Sequence, residues 1–269
     1  MNQIGLAVFD IEGTLTRNDR SMPEEIKRGL IRLQNSRIKT TVMTSTGRAR
    51  ISELLGANFN TAISKGCPVG SDNGGRITDF EGERNLAYSA LKPEEMKPVI
   101  NLVAQGQIPL LVFYPEDPRK GVIWVRDRAE YLTMAQKFSH LAQVINISAD
   151  NLYDQVVRSN PAILIFKAEE RILKDLPDSL NWVVNEGFIH LNTQGVNKGR
   201  GVMEKAKLLG IDSSQVLVAG NFLNDLSMFD QPFGFKIFVE NKMRLPSIFK
   251  DVVRVKTEVE LGEYLSSLT

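Results

Sequence analysis

The stretch Ile4-Gly5-Leu6-Ala7-Val8-Phe9-Asp10-Ile11-Glu12-Gly13-Thr14-Leu15 decides the fold. A short, unbroken aliphatic run that ends on a carboxylate and then on a glycine-bearing loop reads as a strand buried on both faces, the kind found in parallel sheets covered by helices. The next segments keep that rhythm. Pro23-Glu24-Glu25-Ile26 places proline and acids in a first helical turn, and Ile26, Leu30 and Leu33 at helical spacing carry the helix to about Asn35. Residues 38–43 form a second strand that runs into Thr44-Ser45-Thr46-Gly47-Arg48, and Ile51, Leu54 and Leu55 mark another helix. The alternation returns late, with a helix over 201–209, a strand over 216–219, a helix after Asn221, a strand over 235–239 and a closing helix from about Val259. Strand and helix in alternation predict an α/β core with a Rossmann-like parallel sheet.

The middle of the chain reads differently. Asp72-Asn73-Gly74-Gly75 is a hairpin-turn signal, and Arg76-Ile77-Thr78 is its return strand. Beyond it the pattern predicts helices over 93–103, 128–141 and 149–158, and strands over 110–114, 122–125, 162–167, 182–184 and 188–191. Hairpins mixed with helices describe an antiparallel sheet covered on one face, an α+β arrangement. The expected organisation is an α/β core of residues 1–81 plus 188–269, interrupted by an inserted α+β domain of residues 82–187. A length of 269 suits that division better than a single typical domain.

Composition narrows the classes of function. With 42% hydrophobic residues and a formal net charge of +1, from 33 Lys plus Arg against 32 Asp plus Glu, the chain has the make-up of a folded protein. It lacks the basic excess usual in nucleic-acid binders, so a small partner is expected and nucleic acid is not. One cysteine, Cys67, forms no internal disulfide and, with two histidines, no Cys-x-x-Cys metal site. The N-terminal residues lack the pattern of a secretory leader, and no apolar run approaches the roughly 18 residues of a membrane span. The expectation is a cytoplasmic protein without a membrane partner, its oligomeric state open.

In an open parallel sheet, ligands bind beyond the carboxyl ends of the strands. Four such places carry polar groups here: Asp10-Ile11-Glu12-Gly13-Thr14-Leu15, Thr46-Gly47-Arg48, the approach Asn197-Lys198-Gly199, and Gly220-Asn221-Phe222-Leu223-Asn224-Asp225. Together they offer a nucleophilic carboxylate, a second carboxyl as proton donor, a hydroxyl and a lysine for phosphate oxygens, and oxygen ligands for a hard cation.

In these four segments, taken in order, the sequence resembles the haloacid dehalogenase (HAD) superfamily of phosphatases, and most closely its Cof-like sugar-phosphatase branch, whose α+β cap is inserted between the second and third motifs. The resemblance spans the whole chain. It implies Asp10 as nucleophile, forming an aspartyl-phosphate, and Glu12 as the acid that protonates the leaving oxygen and then activates water. It assigns phosphoryl oxygens to Thr46, Gly47, Arg48, Lys198 and Asn224, and Mg2+ to Asp10, Glu12 through its backbone carbonyl, Asn221 and Asp225. The implied substrate is a small phosphorylated metabolite, a sugar phosphate by that branch. Two positions depart from the family's pattern: Glu12 stands where Asp is usual, and Asn221 where a metal-binding Asp is usual. A phosphate-ligand-binding or regulatory protein with weakened chemistry is therefore the alternative expectation, and phosphoryl transfer to a sugar acceptor a third. Away from the motifs, His140 and His190 read as structural or exposed, and Cys67 as a small buried apolar residue.

Overall fold

The computed structural model describes residues 3–126, 143–167, 169–185 and 187–268. Among these residues the strands, in chain order, are β1 Leu6–Phe9, β2 Lys39–Val42, β3 Val69–Ser71, β4 Arg76–Thr78, β5 Asn85–Tyr88, β6 Leu110–Phe113, β7 Val122–Val125, β8 Gln143–Ile145, β9 Leu164–Lys167, β10 Leu180–Asn185, β11 Phe188–Thr193, β12 Val216–Gly220, β13 Phe235–Val239 and β14 Val253–Val255. The helix expected over 128–141 lies outside the described residues.

Strand β1 is buried at all four positions and pairs in parallel with β2 on one side and β12 on the other. The full order is β14-β13-β12-β1-β2, every pair parallel. Alternation along β1 divides the core. Ala7 and Phe9 face Ile26, Leu30 and Leu33 of helix Glu24–Asn35 and Leu261 and Leu265 of helix Glu258–Ser267. Leu6 and Val8 face Val202 and Ala206 of helix Lys198–Leu208 and Met228 and Phe229 of helix Leu226–Phe229. Each fully buried aliphatic side chain of this kind contributes roughly 1.5–3 kcal/mol. The chain leaves β1 for β2 on one flank and later returns as β12 on the other, so the strand order reverses at β1. The crevice of an open sheet forms at such a switch point, and Asp10 stands at its lip.

The second sheet has the order β10-β11-β9-β6-β7-β8, antiparallel except for β7 with β8. Leu111, Phe113, Trp124, Leu164 and Phe166 pack against helices Pro93–Ala104 and Ala149–Ser159 through Met96, Val99, Val103, Leu152 and Val156. The opposite face carries Val112, Tyr114, Ile165 and Phe188. Strand β11 pairs with β9 and β10. The strand expected to open the second core segment at residue 188 therefore belongs to the inserted sheet, because six cross-strand pairings with β10 hold it there.

A small antiparallel sheet, β3-β4-β5, joins the two layers. The Asp72-Asn73-Gly74 turn links β3 to β4 as the sequence predicts. Arg76, fully buried, donates from Nε to Asp72 Oδ2 at 2.5 Å and from its other nitrogens to the carbonyls of Tyr114, Pro115 and Glu116. One guanidinium thus pairs a buried carboxylate and serves three backbone carbonyls where the chain crosses between layers.

Candidate active site

Asp10 leaves β1 with its backbone N–H donated to Ala219 of β12, which fixes the carboxylate over the end of the sheet. Lys198, the first residue of its helix, is 1% exposed. Its Nζ donates to Asp10 Oδ1 and to Asp225 Oδ1, both at 2.6 Å. Asp225 Oδ2 in turn accepts the backbone N–H groups of Asn221 at 2.8 Å and Phe222 at 2.9 Å. Asp225 is therefore spent on orienting the lysine and tying the loop, with both oxygens engaged. Burial, reinforced by Asp225 and Glu12, pushes the Asp10 carboxyl up to about 7 against the pull of Lys198. Burial alone would draw the Lys198 ammonium down, but the two carboxylates outweigh it and hold it above an ordinary lysine. Asp10 and Asp225 thus share one directly bonded ammonium.

Asn221 sits across from them, held at both ends of its amide. Thr14 Oγ1 donates to its Oδ1 at 3.3 Å, and its Nδ2 donates to Asn241 Oδ1 at 3.1 Å. Gly13 allows this closeness. Its φ is +84°, and a Cβ there would lie 2.2 Å from Asn221 Nδ2. Asp10, Glu12, Thr44, Ser45, Asn185, Asn221, Asn224 and Lys242 line a pocket of about 20 Å³, room for one water-sized particle. The negative charge, the oxygen-rich lining and that size fit a small hard cation. Among the described residues no three His, Cys, Asp or Glu side chains are grouped to hold a metal, so such an ion would rely on few carboxylates and on water, as Mg2+ commonly does.

The second motif divides. Thr46 Oγ1 lies 3.3 Å from the Tyr114 hydroxyl of the inserted layer, and Gly47 opens helix Arg48–Leu55 against the same ring, where a Cβ would meet Tyr114 at 2.1 Å. Arg48, grouped by resemblance with the phosphate ligands, turns away from the pocket. Its Nε donates to Thr78 Oγ1 at 3.2 Å and its Nη2 to the Phe80 carbonyl at 2.9 Å, while its guanidinium lies over the Phe59 ring. It is 6% exposed and braces the core against the small sheet, a role to which its helical position directs it.

Glu12 reaches Arg50, Oε1 to Nη2 at 3.5 Å. A second cavity, of about 230 Å³, adjoins the first through Glu12, Ser45 and Asn185 and is walled by Arg20, Arg50 and Thr46 from the core and by Tyr114, Phe188 and His190 from the inserted sheet. Asn185 Nδ2 donates to Ser45 Oγ at 3.3 Å, a direct contact between the layers. Tyr114 and Asn185 carry no motif signal in the sequence and reach the site from the inserted sheet, while Ser45 and Arg50 flank the second motif in the chain. A larger cavity of about 680 Å³, lined by Gly74, Tyr88, Gly195 and Arg200, contains none of the motif residues.

A buried carboxylate, a clamped lysine and a cation-sized pocket at the switch point of a capped α/β sheet define a class, and residues 7–245 match the haloacid dehalogenase-like hydrolase family. The chain belongs to that family. It is similar to 5-amino-6-(5-phospho-D-ribitylamino)uracil phosphatase YbjI of Escherichia coli (strain K12), with 24% identity over 247 residues covering 88% of this chain and 86% of that one. Among solved structures it is similar to the HAD subclass IIB sugar phosphatase BT4131, at a TM-score of 0.77 and 17% identity over 98% of this chain and 97% of the other. It is likewise similar to the HAD phosphatase BT1666 from Bacteroides thetaiotaomicron, at a TM-score of 0.76 and 15% identity over 99% and 96%.

Proposed function

We propose that the chain hydrolyses small phosphomonoesters, with sugar phosphates as the substrate class, and that residues 82–193 act as its cap. The reading is carried by Lys198, held between Asp10 and Asp225 at 2.6 Å from each. Asp10 attacks phosphorus as the bond to the leaving oxygen breaks, giving an aspartyl-phosphate, and Glu12 supplies the proton that the leaving oxygen takes up. Glu12 then takes a proton from water, the water oxygen bonds to phosphorus, and the Asp10–phosphate bond breaks to release inorganic phosphate. Lys198 and the hydroxyls of Thr46 and Ser45 hold phosphoryl oxygens, with Asn224 at the rim. The cap closes over the site through Tyr114 and Asn185 and keeps bulk water from the acyl phosphate.

HAD-superfamily phosphatases generally use Mg2+, and the donor set here fits it through Asp10, the backbone carbonyl of Glu12 and the Asn221 amide oxygen. Bound there, Mg2+ would offset the repulsion between an anionic nucleophile and an anionic ester. Asp225, engaged by Lys198 and two amides, acts one step back.

The alternative reading, a protein that binds phosphorylated ligands with little turnover, draws on Asn221, whose amide is built into the Thr14 and Asn241 network. Hydrolysis of an aryl phosphate by the purified protein, lost by at least about a thousandfold in Asp10→Asn, is the expected result. Equal activity in the two proteins would sink the assignment of Asp10, and tight phosphate binding without turnover would favour the alternative.

A further inference from the structure

We infer that the cavity of about 230 Å³ selects phosphomonoesters whose leaving group carries a second anionic group, a carboxylate or another phosphate, and that Arg50 binds it. The inference rests on the hydrolase reading, since it assigns this cavity to the leaving group. Three observations carry it.

The first is position. Glu12, Ser45 and Asn185 line both this cavity and the pocket at Asp10, so a phosphoryl group placed over the nucleophile directs its ester oxygen past Glu12 and its remainder into the larger space. That space is below the about 300 Å³ at which drug-sized pockets begin, so the leaving group is small.

The second is charge. Arg20 and Arg50 bring positive charge to the cavity, against Glu12 as its acid. Arg20 is engaged at the rim by Glu53 at 2.7 Å.

The third is an unmet donor. Arg50 keeps a side-chain exposure of 13%, its ion pair with Glu12 is long at 3.5 Å, and its Nε is buried without a hydrogen-bond partner. A buried donor left unpaired is costly, and a guanidinium presents Nε and an Nη as a fork that two oxygens of one carboxylate or phosphate fill together. A neutral hydroxyl meets at most one of these donors and none of the charge. Lysine at this position would offer a point charge without the fork.

The test compares three small esters: 3-phosphoglycerate with a carboxylate, 1,3-propanediol bisphosphate with a second phosphate, and glycerol 3-phosphate with neither. In the wild type, kcat/KM for at least one acidic ester should exceed that for glycerol 3-phosphate by about tenfold or more. Which acidic ester wins distinguishes the two sources of the anion. Arg50→Met should bring the ratio to within about threefold of one, mostly through KM, and Arg50→Lys should fall between. A ratio near one in the wild type, or one unchanged in Arg50→Met, overturns the proposal, because a residue that only braced Glu12 would slow all three esters alike. Calorimetric binding of the same esters to Asp10→Asn and to Asp10→Asn/Arg50→Met gives a readout independent of turnover. Binding preference that depends on Arg50, found without hydrolysis of any ester, would uphold the anion site and refute the hydrolase reading. Hydrolysis without preference would do the reverse.

Discussion

Lys198 meets Asp10 across 188 positions of sequence, Nζ to Oδ1 at 2.6 Å, while the same ammonium serves Asp225. The shared cation cannot fully compensate Asp10, whose carboxyl is pushed by burial up to about 7 from an ordinary 3.8. A group that holds its proton more tightly when folded contributes stability that is present below pH 3.8 and lost as pH rises through about 7. The metal-free protein should therefore lose stability between pH 4 and 7.5 on the order of a few kcal/mol, and Asp10→Asn should remove that slope. Urea midpoints measured at pH 5 and pH 7.5 in chelator check it, and identical slopes in the two proteins would refute it.

Asn221→Asp adds a further carboxylate to the pocket that Asp10, Glu12 and Lys242 line. Asn221 is 1% exposed, and its amide hydrogen bond to Asn241 would be lost with the new charge. Without metal the variant should be less stable by about 1–3 kcal/mol. Its Mg2+ affinity should rise at least about tenfold, because charge at the ligands governs binding of this ion. Calorimetric titration with Mg2+ and thermal unfolding with and without it are the measurements. Unchanged affinity would mean that residue 221 does not face the ion.

Lys205 is a separate buried cation, fully enclosed, donating to Thr41 Oγ1 at 3.1 Å and to the Val42 carbonyl. No carboxylate is among its hydrogen-bond partners, and burial draws its ammonium down from 10.5 to about 7. The unfolded chain keeps that proton up to pH 10.5, so this residue adds stability as pH rises from about 7, at up to about 1.4 kcal/mol per unit, and the gain is lost as pH falls back through 7. Lys205→Met should flatten the rise and stabilise the protein at pH 7, as followed by urea unfolding at pH 7, 8 and 9. A slope that survives the substitution would assign it to another group.

Four of the five core strands, β1, β2, β12 and β13, are legible as short runs rich in apolar or β-branched residues, whereas β14, Val253-Arg254-Val255, is too short and too exposed to read, and Asp10, Lys198, Asn221, Asn224 and Asp225 converge because the parallel sheet brings their strand and helix ends together. The sequence reading placed the strand 188–191 on the wrong side of a boundary, since nothing local in Phe188-Ile189-His190-Leu191 tells which sheet it joins; pairing with β9 and β10 does. Arg48 resembles a phosphate ligand because it follows Thr46-Gly47, but its direction depends on the helix start and on Thr78 at the end of β4 and Phe80 just beyond it, some thirty residues later. His190 was read as structural or exposed, and it walls the second cavity. Side chains from the inserted layer, Tyr114 and Asn185 above all, were invisible for the same reason, as long-range packing carries no local periodicity.

The Arg76 guanidinium, bonded to Asp72 on one side and to the carbonyls of residues 114–116 on the other, works as an axle pin. It ties residues 114–116 of the inserted layer to the small sheet at a single side chain. Tyr114, whose own carbonyl accepts from this guanidinium, stands beside Thr46, whereas Asn185, at the end of β10, has no bond to it. On the proposed hydrolysis, the 3.3 Å Asn185–Ser45 contact, which lies outside that anchor, is the one expected to part for ligand exchange.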